Sequence, residues 1–288
     1  MKRITTILLA AAALWALMAP DTSAQATFTT RKEKLSDLML KTTKVVLTGN
    51  DILDESFKEE VISRWRITPY EFCTMDEFNS LKNSTDYYFL LIVQGQFRKE
   101  TEPGLSMMTL IKGGSAPKPD SSLNDYYEVV SLPFCSSVMS SGREYIFMPA
   151  FIDLVQEMAT AAVEHGSRGD STLKVHSLKS LRPWHPLVLI SEDDLAETAA
   201  SYKEQDLGQS VRIVPEDVAD KAFTNDDVNT FVSYVIAPSD PQKGSICYRL
   251  LIGTGDHQLY FFEKHKITKS NPAGFQPGDI ARIISAVK

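Results

Sequence analysis

A chain of 288 residues with 43% hydrophobic and 23% charged side chains has the mixture of an ordinary globular protein, one large domain or two medium ones. That excludes a disordered chain, a collagen-like fibre, a coiled-coil rod and a multi-span membrane protein. With 30 basic against 37 acidic side chains, net −7, it does not neutralise phosphates in bulk, so no nucleic-acid partner is expected.

In chain order, residues 1–26 read as a secretory signal peptide. Lys2 and Arg3 give the positive start, Ile7 to Ala19 an uncharged apolar core, and Ala24-Gln25-Ala26 the small residues of a cleavage site. The core has about two thirds of the roughly 20 apolar residues that a spanning helix needs. The expected mature protein is therefore periplasmic or secreted, with no membrane span after cleavage. Export permits a disulfide. Of Cys73, Cys135 and Cys247, the first two form the expected pair, against the alternative of three buried free thiols, which is favoured for Cys247.

The chain matches itself at an offset of 141 residues. Glu71 to Asp76 falls on Arg212 to Asp217, Asp86 to Val93 on Asp227 to Tyr234, and Leu105 to Ile111 on Ile246 to Ile252. Each last run ends at a glycine turn, Gly113-Gly114 or Gly253-Thr254-Gly255. The shared order of elements carries the inference of a repeat.

In the first copy, Lys44 to Thr48 predicts a strand. Asn50 and Asp51 then cap a helix whose apolar side is Leu53, Phe57, Val61 and Trp65. Tyr70 to Cys73 predicts a strand, Thr74 a helix cap, and Tyr87 to Val93 a strand buried on both faces. Met107 to Ile111 and Tyr126 to Leu132 predict a hairpin, and Pro149 the start of a helix ended by Gly166. In the second copy, Leu187 to Ile190 is followed by a helix capped by Ser191, with Glu192, Asp193 and Asp194 in its first turn. Strands at Val211 to Val214 and Phe231 to Ile236, a hairpin of Ile246 to Ile252 with Leu259 to Ile267, and a helix opened by Pro277 complete it. The expected fold is α/β (α+β), a tandem duplication of a β-α-β-α-β-β-β-α unit with a mixed sheet. Its expected domains are 27–166 and 185–288, joined by a linker at 167–184.

On Asp86 to Val93 and Asp227 to Ile236, with their following hairpins, each repeat resembles the amino-terminal domain of TolB-type proteins in topology. The tandem layout is similar to exported two-repeat proteins of Bacteroidetes-type bacteria. The resemblance implies an envelope setting and implies no activity.

Motifs that carry chemistry are sparse. Ser115-Ala-Pro-Lys118 has the S-x-x-K spacing of penicillin-recognising enzymes but lies in a predicted loop without its partner motifs. His165, His176, His185, His257 and His265 make no i, i+4 metal pair, and His257 and His265 read as solvated turn and edge-strand residues. Asp51/Asp54, Glu192/Asp193/Asp194 and Asp226/Asp227 read as helix caps and strand entries. Arg168-Gly169-Asp170 and the Asn83-Ser84-Thr85 sequon are short matches, and Trp184 and Tyr87-Tyr88 read as packing. No catalytic, cofactor-binding or metal-binding residue is assigned, and no cofactor is expected. The expected function is that of a non-enzymatic protein-binding or envelope-assembly protein, its partner a protein of the cell envelope. The alternative partner is a glycan or small ligand in the cleft between the repeats; a scattered hydrolase site comes last.

Overall fold

The structure is a computed structural model that describes residues 24–25, 34–166, 173–204 and 207–288. Apart from 24–25, the expected signal peptide lies outside the described residues, as does Arg168-Gly169-Asp170.

The first repeat builds strands β2 (Thr42–Val46), β3 (Tyr70–Cys73), β4 (Tyr87–Gln96), β5 (Leu105–Lys112) and β6 (Tyr127–Ser136). They lie in the order β3-β2-β4-β5-β6, parallel among β3, β2 and β4 and antiparallel from β4 to β6. A two-residue strand, β1 (Ala24–Gln25), pairs with Gly95 and Gln96 of β4, beyond the reach of β2. The second repeat builds β7 (Leu187–Ser191), β8 (Val211–Val214), β9 (Thr230–Ile236), β10 (Ile246–Gly253) and β11 (Leu259–Lys266). Their order, β8-β7-β9-β10-β11, repeats the first sheet strand for strand and direction for direction. The fold is thus α/β, and the third strand of each repeat, β4 or β9, is central as expected.

The offset of 141 holds for β3 with β8 and for β5 with β10, but it is not free of gaps. Ile111 faces Phe89, whereas its counterpart Ile252 faces Val232, so β9 has slipped by two residues. A slip of two preserves which face each side chain occupies; a slip of one would have turned the apolar set to the wrong side.

Helices α1 (Asp51–Arg64), α2 (Met75–Leu81), α3 (Arg143–His165), α4 (Glu216–Thr224) and α5 (Pro277–Val287) cover the sheets. Asn50 caps α1 through Leu53 N, and Thr74 with Glu77 forms a reciprocal cap on α2. Phe89 and Leu91 of β4 face α2, with Cys73 and Phe78, while Tyr88 and Leu90 face the side of α1 and α3. In the second repeat Val232 and Tyr234 face α4, and Phe231 packs with Ile280 and Ile283 of α5. The layers therefore run α2, first sheet, α1 with α3, α4, second sheet, α5. One repeat follows the other in the same orientation, and a single core joins them across α3.

Three expectations are corrected. Helix α3 starts at Arg143, and Pro149 lies inside it, where it deprives the Tyr145 carbonyl of its helical donor. Ser191 does cap, through Asp193 N, but only a 3₁₀ turn at Glu192–Asp194, followed by another at Glu197–Glu204. The reason is a bridge: Phe275 N donates to Asp194 O and Ala196 N to Phe275 O, which pulls the chain out of helical geometry. Finally, all three cysteines are free. Cys73 and Cys135 sit on β3 and β6, opposite ends of the path, about 19 Å apart at ordinary strand spacing. Burial pushes the Cys73 thiol up to about 11, Cys135 to about 12 and Cys247 to about 11.

Helix α3 is long and apolar enough to cross a membrane by length and composition, yet most of its apolar side chains are buried, in the core that joins the repeats. The expected linker is partly structured: Val175 bridges to Leu259, and a 3₁₀ turn at Leu178–Trp184 buries Leu178 in the second repeat.

Candidate interaction surface at the repeat junction

Gly142 stands just ahead of helix α3, and its left-handed backbone (φ 88°) turns the chain from β6. The Glu144 carboxylate accepts from Gly142 N at 3.0 Å and from the hydroxyls of Ser140 and Ser141, which fixes this corner. Arg143 then points across into the second repeat. It is 4% exposed. Its Nε donates to Asp220 Oδ1 at 2.9 Å, its Nη1 to both Asp194 oxygens at 3.1 Å, and its Nη2 to Ser233 O at 2.9 Å. Asp194, also 4% exposed, accepts from the Ser233 hydroxyl as well. Burial alone would lower the affinity of Arg143 for its proton; the charges of Asp194 and Asp220 outweigh it and hold the guanidinium charged. Burial pushes Asp220 and Glu216 above the usual carboxylate range, opposed by the attraction of Arg143.

The guanidinium also lies over Phe147 and Tyr234, 5.1 and 5.4 Å from the ring centres. Phe147 stacks on Tyr234 at 4.5 Å and meets Phe223 at 4.3 Å, and the Tyr234 hydroxyl donates to Phe134 O at 3.0 Å. These side chains fill the space in which a cleft between the repeats was expected.

Two further sets of contacts flank this core. On one side Ser245 donates to Glu100 at 2.6 Å and Thr101 N to Gln242 at 2.8 Å. There Gly104 lies so close to Pro238 that an added Cβ would sit 2.7 Å from its ring. On the other, Asp153 of α3 accepts from Arg64 at 3.0 Å and pairs with His257 Nδ1 at 2.6 Å. His257 is therefore a buried bridge between repeats and not the solvated turn residue expected.

Above the junction, Ser239 N donates to the Ser136 hydroxyl at 3.3 Å, which joins the loop 136–142 to the second repeat. That loop exposes Val138 (78%) and Met139 (67%). Two apolar side chains thus stand in water on a loop whose base is pinned at Glu144 and Ser136, beside a surface drawn from both repeats.

Other residues singled out in the sequence have structural roles or lie on the surface. Ser115 is buried, donates to Lys112 O and accepts from Tyr127 N, while Lys118 is exposed. Asp54 accepts from Thr48 and Gly49 N–H groups at the start of α1, and Asp227 and Asp226 shape the entry to β9. His265 is half-buried against Pro272 O, and burial lowers its pKa. Tyr88 is core, its hydroxyl on Asp37, and Tyr126 donates to Asn83. Trp184 and His185 are exposed. Of the acids read as caps, Asp193 is exposed and Asp194 is the buried partner of Arg143, so the capping explanation fails for Asp194. Arg143 and Asp220 carried no sequence signal: they lie 77 residues apart in chains of unremarkable local pattern.

Among the described residues, no three or more of His, Cys, Asp and Glu are grouped so as to hold a metal ion. The fold and junction define an α/β protein of two like-ordered mixed sheets joined through one shared helix. No family model, curated protein or solved structure matches the chain.

Proposed function

We propose that the protein is an exported, non-enzymatic binding protein. In this reading the two repeats act as one body and present a composite surface to a protein partner of the cell envelope. The observation that carries the reading is the pair Val138 and Met139, exposed on a loop pinned to both repeats. A loop anchored at its base has less backbone entropy to lose on docking than a free one, which favours binding through the side chains it presents. The leader-like start of the sequence supports the cellular setting. A glycan or small ligand between the repeats finds no support at the junction, whose space Phe147, Phe223 and Tyr234 occupy.

The test is affinity capture from the native envelope, comparing wild type with Val138→Asp/Met139→Asp. The reading expects proteins captured by wild type to be lost from the variant at an unchanged melting temperature. An identical captured set, or none from wild type, would overturn it.

A further inference from the structure

A second surface lies on the far side of the second repeat. Between α5, the outer strand β11 and the 3₁₀ turn at Leu178–Trp184 runs a groove of about 730 Å³. Its apolar wall includes Val175, Leu178, Tyr260, Phe261 and Ala286. Val175 is 46% exposed.

Three features of the groove point to one kind of occupant. First, β11 ends its sheet. Among the described residues its outer side meets only the single bridge from Val175 to Leu259, closed by His176 N donating to Leu259 O. An extended segment could continue beside β11, forming backbone hydrogen bonds while alternate side chains drop into the groove. Second, the wall is aromatic and aliphatic, suited to an apolar side chain. Third, the charge around the groove is opposite in sign to that of the chain as a whole. Lys179 and Arg282 line it, and Arg182 caps the end of α5 through Ser285 O and Ala286 O. Among the described residues the one acid in the lining, Glu263, is engaged by Arg282 at 2.9 Å, and Arg282 also pairs with Asp279 at 2.7 Å, so the uncompensated charge of the groove is that of Lys179, with Arg182 beside it. In a protein of net charge −7, such a local excess of cations favours an acidic segment.

We infer that this groove binds an extended, acidic peptide segment of a partner protein by strand addition to β11. The inference rests on the protein-binding reading above and names a partner chemistry for a second face of the molecule.

The test uses the full exported chain, immobilised, and two pools of short synthetic peptides. Both pools alternate apolar residues with charged ones, acidic in one pool and basic in the other. The acidic pool should be retained, and retention should fall about tenfold with Lys179→Glu, a charge reversal on the rim. It should fall similarly with Ala281→Trp, which fills the groove from an exposed helix position. Backbone N-methylation of the acidic pool should abolish retention, because it removes the donors that strand addition requires. Circular-dichroism melts of both variants establish that they fold, and Lys179→Glu carries the result by itself if Ala281→Trp does not. Equal retention of both pools, retention of the methylated pool, or no retention would overturn the inference. So would binding of maltodextrin or anionic phospholipid vesicles in place of the peptides. Envelope capture that depends on Val138 and Met139 but survives Lys179→Glu would sink the groove alone and leave the junction reading standing.

Discussion

A guanidinium taken out of water must find its counter-charge within reach, and Arg143 finds it in two carboxylates of the other repeat. Burying three ionisable groups costs several kcal/mol per ion, which their mutual attraction offsets only when the geometry is good. Here Nε and Nη1 of Arg143 each meet a carboxylate, and Nη2 reaches Ser233 O. The network therefore adds little net stability compared with an apolar replacement of the whole set, but breaking it from one side is costly. Arg143→Met should lose about 3–5 kcal/mol in denaturant melts, since Asp194 and Asp220 would remain buried without a cation. Arg143→Lys should recover only part of that loss, because an ammonium cannot serve both carboxylates and the carbonyl in one plane. A loss below about 1 kcal/mol for Arg143→Met would show that the network is solvated and not a lock. None of this was legible in the sequence. Asp194 stands third in an acidic run after a serine, the pattern of a helix start, and only the tertiary position of α3 turns it inward.

At the scale of elements, the sequence was legible wherever a run of apolar residues met a clear boundary. Thr74 with Glu77, Asn50 ahead of α1, and the unbroken apolar run of β4 each named its element, because capping and double-sided burial are local signals. The failures arose where a distant segment intervened. The helix expected after Ser191 is replaced by two 3₁₀ turns because Phe275 bonds Asp194 and Ala196, more than seventy residues away. Gly274 makes that approach possible. Its φ is +104°, and a Cβ there would lie 2.5 Å from Ala196 N. Gly274→Ala should therefore destabilise the protein by more than the roughly 1 kcal/mol of backbone strain alone. Hydrogen exchange should show the added opening at Ala196 and Phe275 first. An alanine variant as stable as wild type would mean that the bridge is not fixed as described. The start of α3 was misplaced for a related reason: Pro149 is a good first-turn residue, and nothing local reveals the extra turns built from Gly142.

At the scale of the molecule, the two repeats are stacked in the same sense and not face to face. The α3 layer of the first sits on the α4 face of the second, so the two halves of the contact differ, as in a head-to-tail assembly. Helix α3 is accordingly longer than its counterpart α5 and buries residues toward both sheets, while α5 keeps Gly278, Ala281, Arg282 and Ser285 in water. Because one core runs through α3, neither repeat can open there without exposing Phe147, Phe223 and Tyr234. Cooperative unfolding of the whole chain follows from that continuity, in contrast to domains that meet over a small polar contact. Scanning calorimetry tests this claim most directly. A single transition is predicted, with calorimetric and van't Hoff enthalpies equal; two transitions, or a van't Hoff enthalpy near half the calorimetric value, would contradict a single locked body.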